Sequence, residues 1–274
     1  MMPAVARPRS LPPSPVRGRS RLASIWPPAL VLVGLVAAWW GAVALFEPGD
    51  DVLPGPDLVV SSTWEDRSAL WEAMVSTSKV AVLGIVLAVI VAVVLAIAID
   101  WSKTVRRSIY PLMVASQTLP IITLAPLVII WFGFGSGPKV ALVGLFTFFA
   151  VAVGLVQGLA SSDPDASSLL RTMGASRRQL LLRVRLPSAV PQFFTGLKVA
   201  VTYSYVAAIV AELVGAQQGL GVYMTSAKNA LRTDLVFGAV VVTSALTLIL
   251  FAIVLLLERL AMPYRRPTGA GADW

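Results

Sequence analysis

Six stretches of the chain, residues 27–46, 75–99, 109–134, 140–159, 191–214 and 236–257, run for about twenty residues or more with hardly a charge; Lys79, Lys198 and Glu212 are the exceptions. A helix rising about 1.5 Å per residue needs about twenty apolar residues to cross a hydrocarbon layer of about 30 Å. Lipid offers no partners for backbone N–H and C=O groups, so such segments must be helical to close their own hydrogen bonds. The expected fold class is therefore all-α: a polytopic membrane protein with six transmembrane helices. Composition agrees. Of the 274 residues, 57% are hydrophobic and 13% charged, against roughly 45–50% and 25% in soluble domains, so too little polar surface exists to coat a water-soluble globule.

With no cysteine and no histidine, disulfides, thiolate metal sites, thiol nucleophiles and imidazole proton shuttles are excluded. The net charge of +8 does not point to nucleic acid, because the basic residues fall in short runs between apolar stretches, where they set membrane orientation. Lys and Arg gather before the first span, between the second and third (Lys103, Arg106, Arg107), between the fourth and fifth, and after the sixth (Arg259, Arg265, Arg266). The positive-inside rule then predicts cytoplasmic termini on a multi-pass protein of a bacterial plasma (inner) membrane.

Residues 1–26 carry Arg7, Arg9, Arg17, Arg19 and Arg21 among prolines and serines and are expected to be a disordered cytoplasmic tail. Residues 27–46 are the first span. Ala42-Val43-Ala44 resembles a signal-peptidase site, but the apolar run exceeds the roughly 7–15 residues of a signal core, which favours a retained helix. The acidic stretch 47–74 reads as an external loop in which Val59, Trp64, Leu70, Trp71 and Met74 form one face of an amphipathic helix lying on the outer membrane surface. Residues 75–260 follow as a five-helix core in which Pro111, Pro120 and Pro126 kink the third span of the chain, and 261–274 as a cytoplasmic tail. No repeated half occurs, so any symmetry must come from pairing two chains.

The informative polar segment is 161–189. It reads Asp165-Ala-Ser-Ser-Leu-Leu-Arg-Thr-Met-Gly174-Ala-Ser-Arg-Arg-Gln-Leu-Leu-Leu-Arg-Val-Arg-Leu-Pro187, a helical pattern, a lone glycine, a second helical pattern and Leu-Pro. Gly174 suits the left-handed conformation that ends a helix, and Pro187 is expected to stop the second helix before the membrane is re-entered. Leu169, Leu170, Met173, Leu180, Leu181 and Leu182 would give the projection apolar surface outside the bilayer, a sign of a partner protein.

This segment resembles the permeases of type I ATP-binding-cassette importers, whose cytoplasmic motif runs Glu-Ala-Ala, three residues, Gly, about nine residues, and a hydrophobic residue before Leu-Pro. Aligned on Gly174 and Leu186-Pro187, Ser168 stands at the glutamate position and Leu169-Leu170 at the alanine pair. The resemblance covers about residues 50–266 and implies that Ser168, Arg171, Met173, Gly174, Ala175, Ser176, Leu186 and Pro187 belong to a coupling loop. That loop would dock on a separate cytoplasmic ATPase holding ATP and Mg, with no cofactor bound by this chain, an extracytoplasmic solute-binding protein delivering the solute, and the permease working as a homodimer in lipid. The stretch Ala211-Glu-Leu-Val-Gly-Ala-Gln-Gln-Gly-Leu-Gly-Val-Tyr-Met224 is similar to the nitrate, sulfonate, taurine and pyrimidine-precursor subgroup, and most like importers of hydroxymethylpyrimidine-type thiamine precursors.

Polar residues inside the spans are candidates for the solute path. Ser116, Gln117 and Thr118 beside Pro120 either meet a solute or bond neighbouring helices. Of Thr202, Tyr203, Ser204 and Tyr205, at most two can face one pore, since consecutive helical residues point about 100° apart. Glu212 either pairs with Lys79, Lys228 or Arg232 in an external gate or is an ordinary interfacial carboxylate. Gly215, Gly219 and Gly221 bracket a short external loop. A channel or ion-coupled secondary transporter is the alternative, but the predicted span midplanes lack acids; an embedded enzyme would lack acid–base groups. No phosphate-binding loop occurs, Gly133-Phe-Gly-Ser-Gly-Pro-Lys139 lacking the required Ser/Thr.

Overall fold

A computed structural model describes residues 26–116, 118 and 120–263. The expected tails at 1–25 and 264–274, and Gln117, lie outside the described residues. The chain divides into two compact units, 1–48 and 49–274.

The first unit holds α1 (Trp26–Phe46). It is apolar on every side, and Leu30, Val31, Leu32 and Val33 are all exposed, the composition of a helix that meets lipid rather than a core on one face.

In the second unit the described elements are α2 (Pro56–Glu65), α3 (Arg67–Trp101), α4 (Lys103–Ser116), α5 (Ile121–Phe132), α6 (Ser136–Ala160), α7 (Pro164–Thr172), α8 (Arg177–Leu180), a π-helical turn (Leu181–Arg185), α9 (Leu186–Leu213), α10 (Leu220–Asn229) and α11 (Thr233–Ala261). Among the described residues every regular element is helical. Four helices are long and apolar enough to span a membrane: Arg67–Trp101, Ser136–Ala160, Arg177–Leu213 and Thr233–Ala261. The α4–α5 pair, bent by 102°, makes a fifth if taken as one span. The expected kink is thus a full break, with Pro120 preceding α5 while Pro111 and Pro126 lie inside α4 and α5.

Two boundaries differ from expectation. The amphipathic helix read through residues 47–74 is not one element: α2 ends at Glu65, Asp66 leaves the regular helix (φ −93°, ψ 20°), and Leu70, Trp71 and Met74 belong to the first turns of the 35-residue α3. Periodicity across the break looked continuous because each helix buries an apolar residue of its own, Val59 from α2 and Leu70 from α3. Pro187 also does not stop a helix. It is the second residue of α9, and the wider π turn before it, with the Leu186 N–H donating to the Leu181 carbonyl, makes room for the ring that an α-helical turn would crowd. The helical path therefore runs unbroken from Arg177 to Leu213.

The core lies where α6 packs against α9 and α3. In lipid, helices gain little from hydrophobic burial against each other and associate through close contact of small residues. On α3 the buried positions Thr77, Ala81, Ala88, Ala92 and Ala96 repeat at helical spacing. On α6, Gly154 and Gly158 face α9 so closely that a Cβ at Gly154 would lie 2.4 Å from the Gln192 carbonyl oxygen and one at Gly158 would lie 2.7 Å from the Ala189 Cα. Gly196 of α9 returns the contact, a Cβ there meeting the Ala150 carbonyl oxygen at 2.3 Å. Ion pairs add cross-links: Lys198 of α9 with Glu258 of α11 at 3.0 Å, and Arg185 with Asp100 at the end of α3.

Candidate functional site

The segment between α6 and α9 forms two short helices with a fixed corner. The Asp163 carboxylate accepts from the Asp165 N–H (2.9 Å) to start α7, and Pro164 takes the first turn. At the other end Gly174 has φ +81°; its N–H donates to the Arg171 carbonyl (3.0 Å) and the Ala175 N–H to the Leu170 carbonyl (2.9 Å). This paired pattern closes a helix through a left-handed residue, which only glycine adopts without strain. Immediately afterwards Ser176 and Gln179 form a reciprocal capping box, the Gln179 N–H donating to the Ser176 hydroxyl (3.3 Å) and the Ser176 N–H to the Gln179 side chain (2.7 Å), which starts α8.

The corner presents Leu169 (62% exposed) and Met173 (74% exposed) to the outside, with Arg171, Gly174 and Ser176 also exposed. Leu180 and Leu181, expected on the same outer surface, are instead 4% and 7% exposed; they anchor α8 and the π turn to the bundle, because the unbroken helix turns them inward. Leu182 remains outward. The Ser168 hydroxyl donates to the Asp165 carbonyl (2.9 Å). Ala175 is half-buried, as is Leu186, and Pro187 is exposed. Behind α7, a cavity of about 850 Å³ opens between the ends of α3 and α6, α7 and α8.

The opposite end of the bundle is built on Glu212. Thr77 lies 23 residues before Asp100, about 35 Å along a helix, so α3 joins the two ends. Glu212 is 1% exposed. Its carboxylate accepts from the Thr77 hydroxyl (2.8 Å) and the Gly221 N–H (2.9 Å), and Thr77 accepts in turn from the Leu220 N–H (2.8 Å). This network ties α3, α9 and α10 together and explains the glycines after α9: Gly219 has φ +131°, and a Cβ there would fall 2.2 Å from the Glu212 carboxyl carbon. The expected pairing with Lys79, Lys228 or Arg232 is not found. Among the described residues Glu212 has neutral donors, and Arg232 pairs with Asp234 at 2.7 Å; a buried carboxylate is satisfied here by backbone and hydroxyl donors brought within reach by the loop. Thr77 was missed because a lone threonine in an alanine-rich helix carries no pattern. Nearby, the Tyr223 hydroxyl donates to Asp66 (2.7 Å); burial, then that hydrogen bond and the carboxylate's charge, push the Tyr223 phenol well above its usual value.

The other path candidates scatter. Tyr205 is buried, its hydroxyl 3.1 Å from that of Ser78. Tyr203 is 52% exposed and meets Phe146 edge-on. Thr202 donates to the Lys198 carbonyl, Ser204 to Val201, Ser116 to Met113 and Thr118 to Ala115, all within the preceding turn. The structure does not bring these side chains together around one cavity.

Residues 84–262 match the family described as binding-protein-dependent transport system inner membrane component. The chain belongs to this family. It is a permease of the inner membrane. The permease is 35% identical over 78% of its length to the formylaminopyrimidine transport permease protein ThiX of Halalkalibacterium halodurans, covering 86% of that protein. It is 32% identical to the riboflavin transport system permease protein RibX of Chloroflexus aurantiacus (84% of this chain, 87% of that one) and 29% identical to the taurine transport system permease protein TauC of Escherichia coli (85% and 87%). The fold is shared with the MetNI methionine ABC transporter, with a TM-score of 0.57 at 18% identity over 75% of this permease and 99% of that chain. The likeness to ATP-binding-cassette importer permeases thus holds, and the permease is a transport subunit.

Proposed function

We propose that the permease carries a small planar heterocycle of the pyrimidine class, such as a hydroxymethylpyrimidine, into the cytoplasm as one half of a homodimeric channel. An extracytoplasmic binding protein delivers the solute, and a separate ATPase, holding ATP and Mg, docks on the α7–α8 corner. In this reading α1 and the α4–α5 pair complete six spans, both termini are cytoplasmic, and the Glu212 end faces outward. The division into a tail to 26, a first span to 46, an external segment to 74 and a core from 75 belongs to the same proposal.

The observation that carries it is the corner itself. Leu169 and Met173 are exposed on a helix whose two ends are both fixed by caps and whose successor, α8, continues without a break into the spanning α9. A push on α7 is therefore delivered along one helical path into the bundle core. Ser168, in place of an acid, makes only a bond within its own helix, so docking would rest on Arg171, Met173, Ala175 and Ser176. The pyrimidine class is supported by the 35% identity to a formylaminopyrimidine permease.

Reconstituting the permease with its ATPase and binding protein tests both parts. Hydroxymethylpyrimidine is expected to stimulate ATP hydrolysis, and Gly174→Asp to abolish that stimulation while binding protein still binds solute. Stimulation by taurine but not by the pyrimidine would replace the solute class; solute flux without ATP hydrolysis would overturn the importer reading.

A further inference from the structure

The charged residues lining the cavity behind α7 are mostly cations. Arg106, Arg171, Arg177 and Arg185 line it against a single acid, Asp100. Arg185 is committed to Asp100. Arg106, Arg171 and Arg177, contributed by α4, α7 and α8, have no ion pair among the described residues. Three guanidinium groups from three elements thus line one cavity whose single acid is already paired, an arrangement that favours an anion between them.

A second observation points the same way. Ser167, 9% exposed, lines this cavity, and its buried hydroxyl has no hydrogen-bond partner. Buried hydroxyls are normally satisfied, and an orphaned one beside an arginine cluster marks the place of an absent acceptor. The Arg185 Nε is likewise buried without a partner. The Arg185 Nε and the unpaired guanidinium groups can only donate and the Ser167 hydroxyl can donate as well as accept, and guanidinium forks match the oxygens of phosphate.

We propose that this cavity is a binding site for a phosphate-class oxyanion, held by Arg106, Arg171 and Arg177 with the Ser167 hydroxyl completing the shell. Its position suits two sources of that chemistry, free phosphate from the cytoplasm or the phosphodiester of an anionic lipid. The exposed Trp101 beside the cavity marks headgroup depth. The assignment of this end to the cytoplasm rests on the orientation proposed above; the anion site itself does not. Bound there, the anion braces the projection: α7 packs chiefly on α8, and the cavity separates it from the ends of α3 and α6. An anion shared between Arg171 of α7, Arg177 of α8 and Arg106 of α4 fixes the angle at which the corner stands off the bundle.

The test uses the full-length permease purified in detergent and in nanodiscs. Thermal unfolding is followed with sodium phosphate against sodium chloride at equal ionic strength, and with phosphatidylglycerol against phosphatidylcholine discs. Either phosphate or phosphatidylglycerol is expected to raise the unfolding temperature, the first alone indicating the free ion and the second alone the lipid. The double variant Arg106→Gln/Arg177→Gln is expected to weaken the apparent affinity by about tenfold or more, as loss of charge-assisted hydrogen bonds should. Arg259→Gln, outside the cavity, is expected to leave it unchanged. If the double variant does not fold, Ser167→Ala reports instead, with a weakened anion response and unchanged melting in chloride. No response to either probe in the native protein, a chloride response equal to phosphate, or native affinity in these variants would overturn the site. None of these readouts involves ATPase or transport, so failure of the importer reading leaves them intact.

Discussion

At the scale of single residues, the Glu212 carboxylate holds two buried donors, the Thr77 hydroxyl and the Gly221 N–H. Glu212→Ala would strip the Thr77 hydroxyl and the Gly221 N–H of their acceptor, and each unsatisfied buried group costs about 1–3 kcal/mol. The expected result is a lower melting temperature in detergent, with Glu212→Gln milder because one amide oxygen still accepts. Thr77→Val should cost a comparable amount by orphaning the Leu220 N–H. Tyr223 gives a pH prediction. Its pKa is raised in the folded state, so the stability from its bond to Asp66 is complete below the unfolded phenol value of about 10 and is lost as pH rises through the folded value above that. A difference titration of tyrosinate absorbance, native minus Tyr223→Phe, should show the missing transition displaced above pH ~10; a transition at or below it would contradict the geometry. The Glu212 carboxylate was visible in the sequence as a lone acid near the end of a span, but its partners were not. A cation or an ordinary interfacial position was the expectation, whereas the carboxylate accepts from the Thr77 hydroxyl and one backbone N–H, that of Gly221, which only the fold of residues 214–221 brings within reach.

At the scale of elements, the corner at Gly174 was legible because a helix stop of this kind needs one residue type and leaves a lone glycine behind. The continuation past Pro187 was not, since proline in a first turn and proline after a last turn look alike until the preceding π turn is known. The α6–α9 contact belongs to the same class. Gly154 and Gly158 stand four residues apart, a spacing that favours close helix contact in membranes, but nothing local identifies α9 as the partner. Gly196→Val should force the helices apart against the Ala150 carbonyl and destabilise the fold by about 1–3 kcal/mol, the range for overpacked cores. Recovery of folded protein after detergent extraction measures it, and Val199→Ala on the exposed side of the same helix should leave recovery unchanged.

At the scale of the whole molecule, apolar length announced the existence of the spanning helices α3, α6, α9 and α11, because crossing lipid demands that length whatever the packing, but not where α3 and the Arg177–Leu213 path begin, since both extend through polar turns before the apolar run. It did not give the α4–α5 break its magnitude, since three prolines report that a helix is interrupted and not by how much. Orientation is open to direct measurement. The chain has no cysteine, so single introduced cysteines report without background. Ser168→Cys on α7 is expected to react with an impermeant maleimide only from the cytoplasmic side, and Val52→Cys, 63% exposed before α2, only from outside. The reverse pattern would invert the proposed topology and move the docking corner away from any cytoplasmic ATPase.

The π turn between Leu181 and Arg185 has a consequence for how this loop can vary. It behaves as a single-residue insertion in an otherwise regular helix, and each residue advances a helix by about 100°. Deleting one residue there would let the path relax to an ordinary α-helix and swing α7 and the exposed Met173 about a quarter turn around the axis of α9. The phase between docking face and spanning helix is thus stored in chain length, and loop-length changes in relatives should be compensated in pairs or absent.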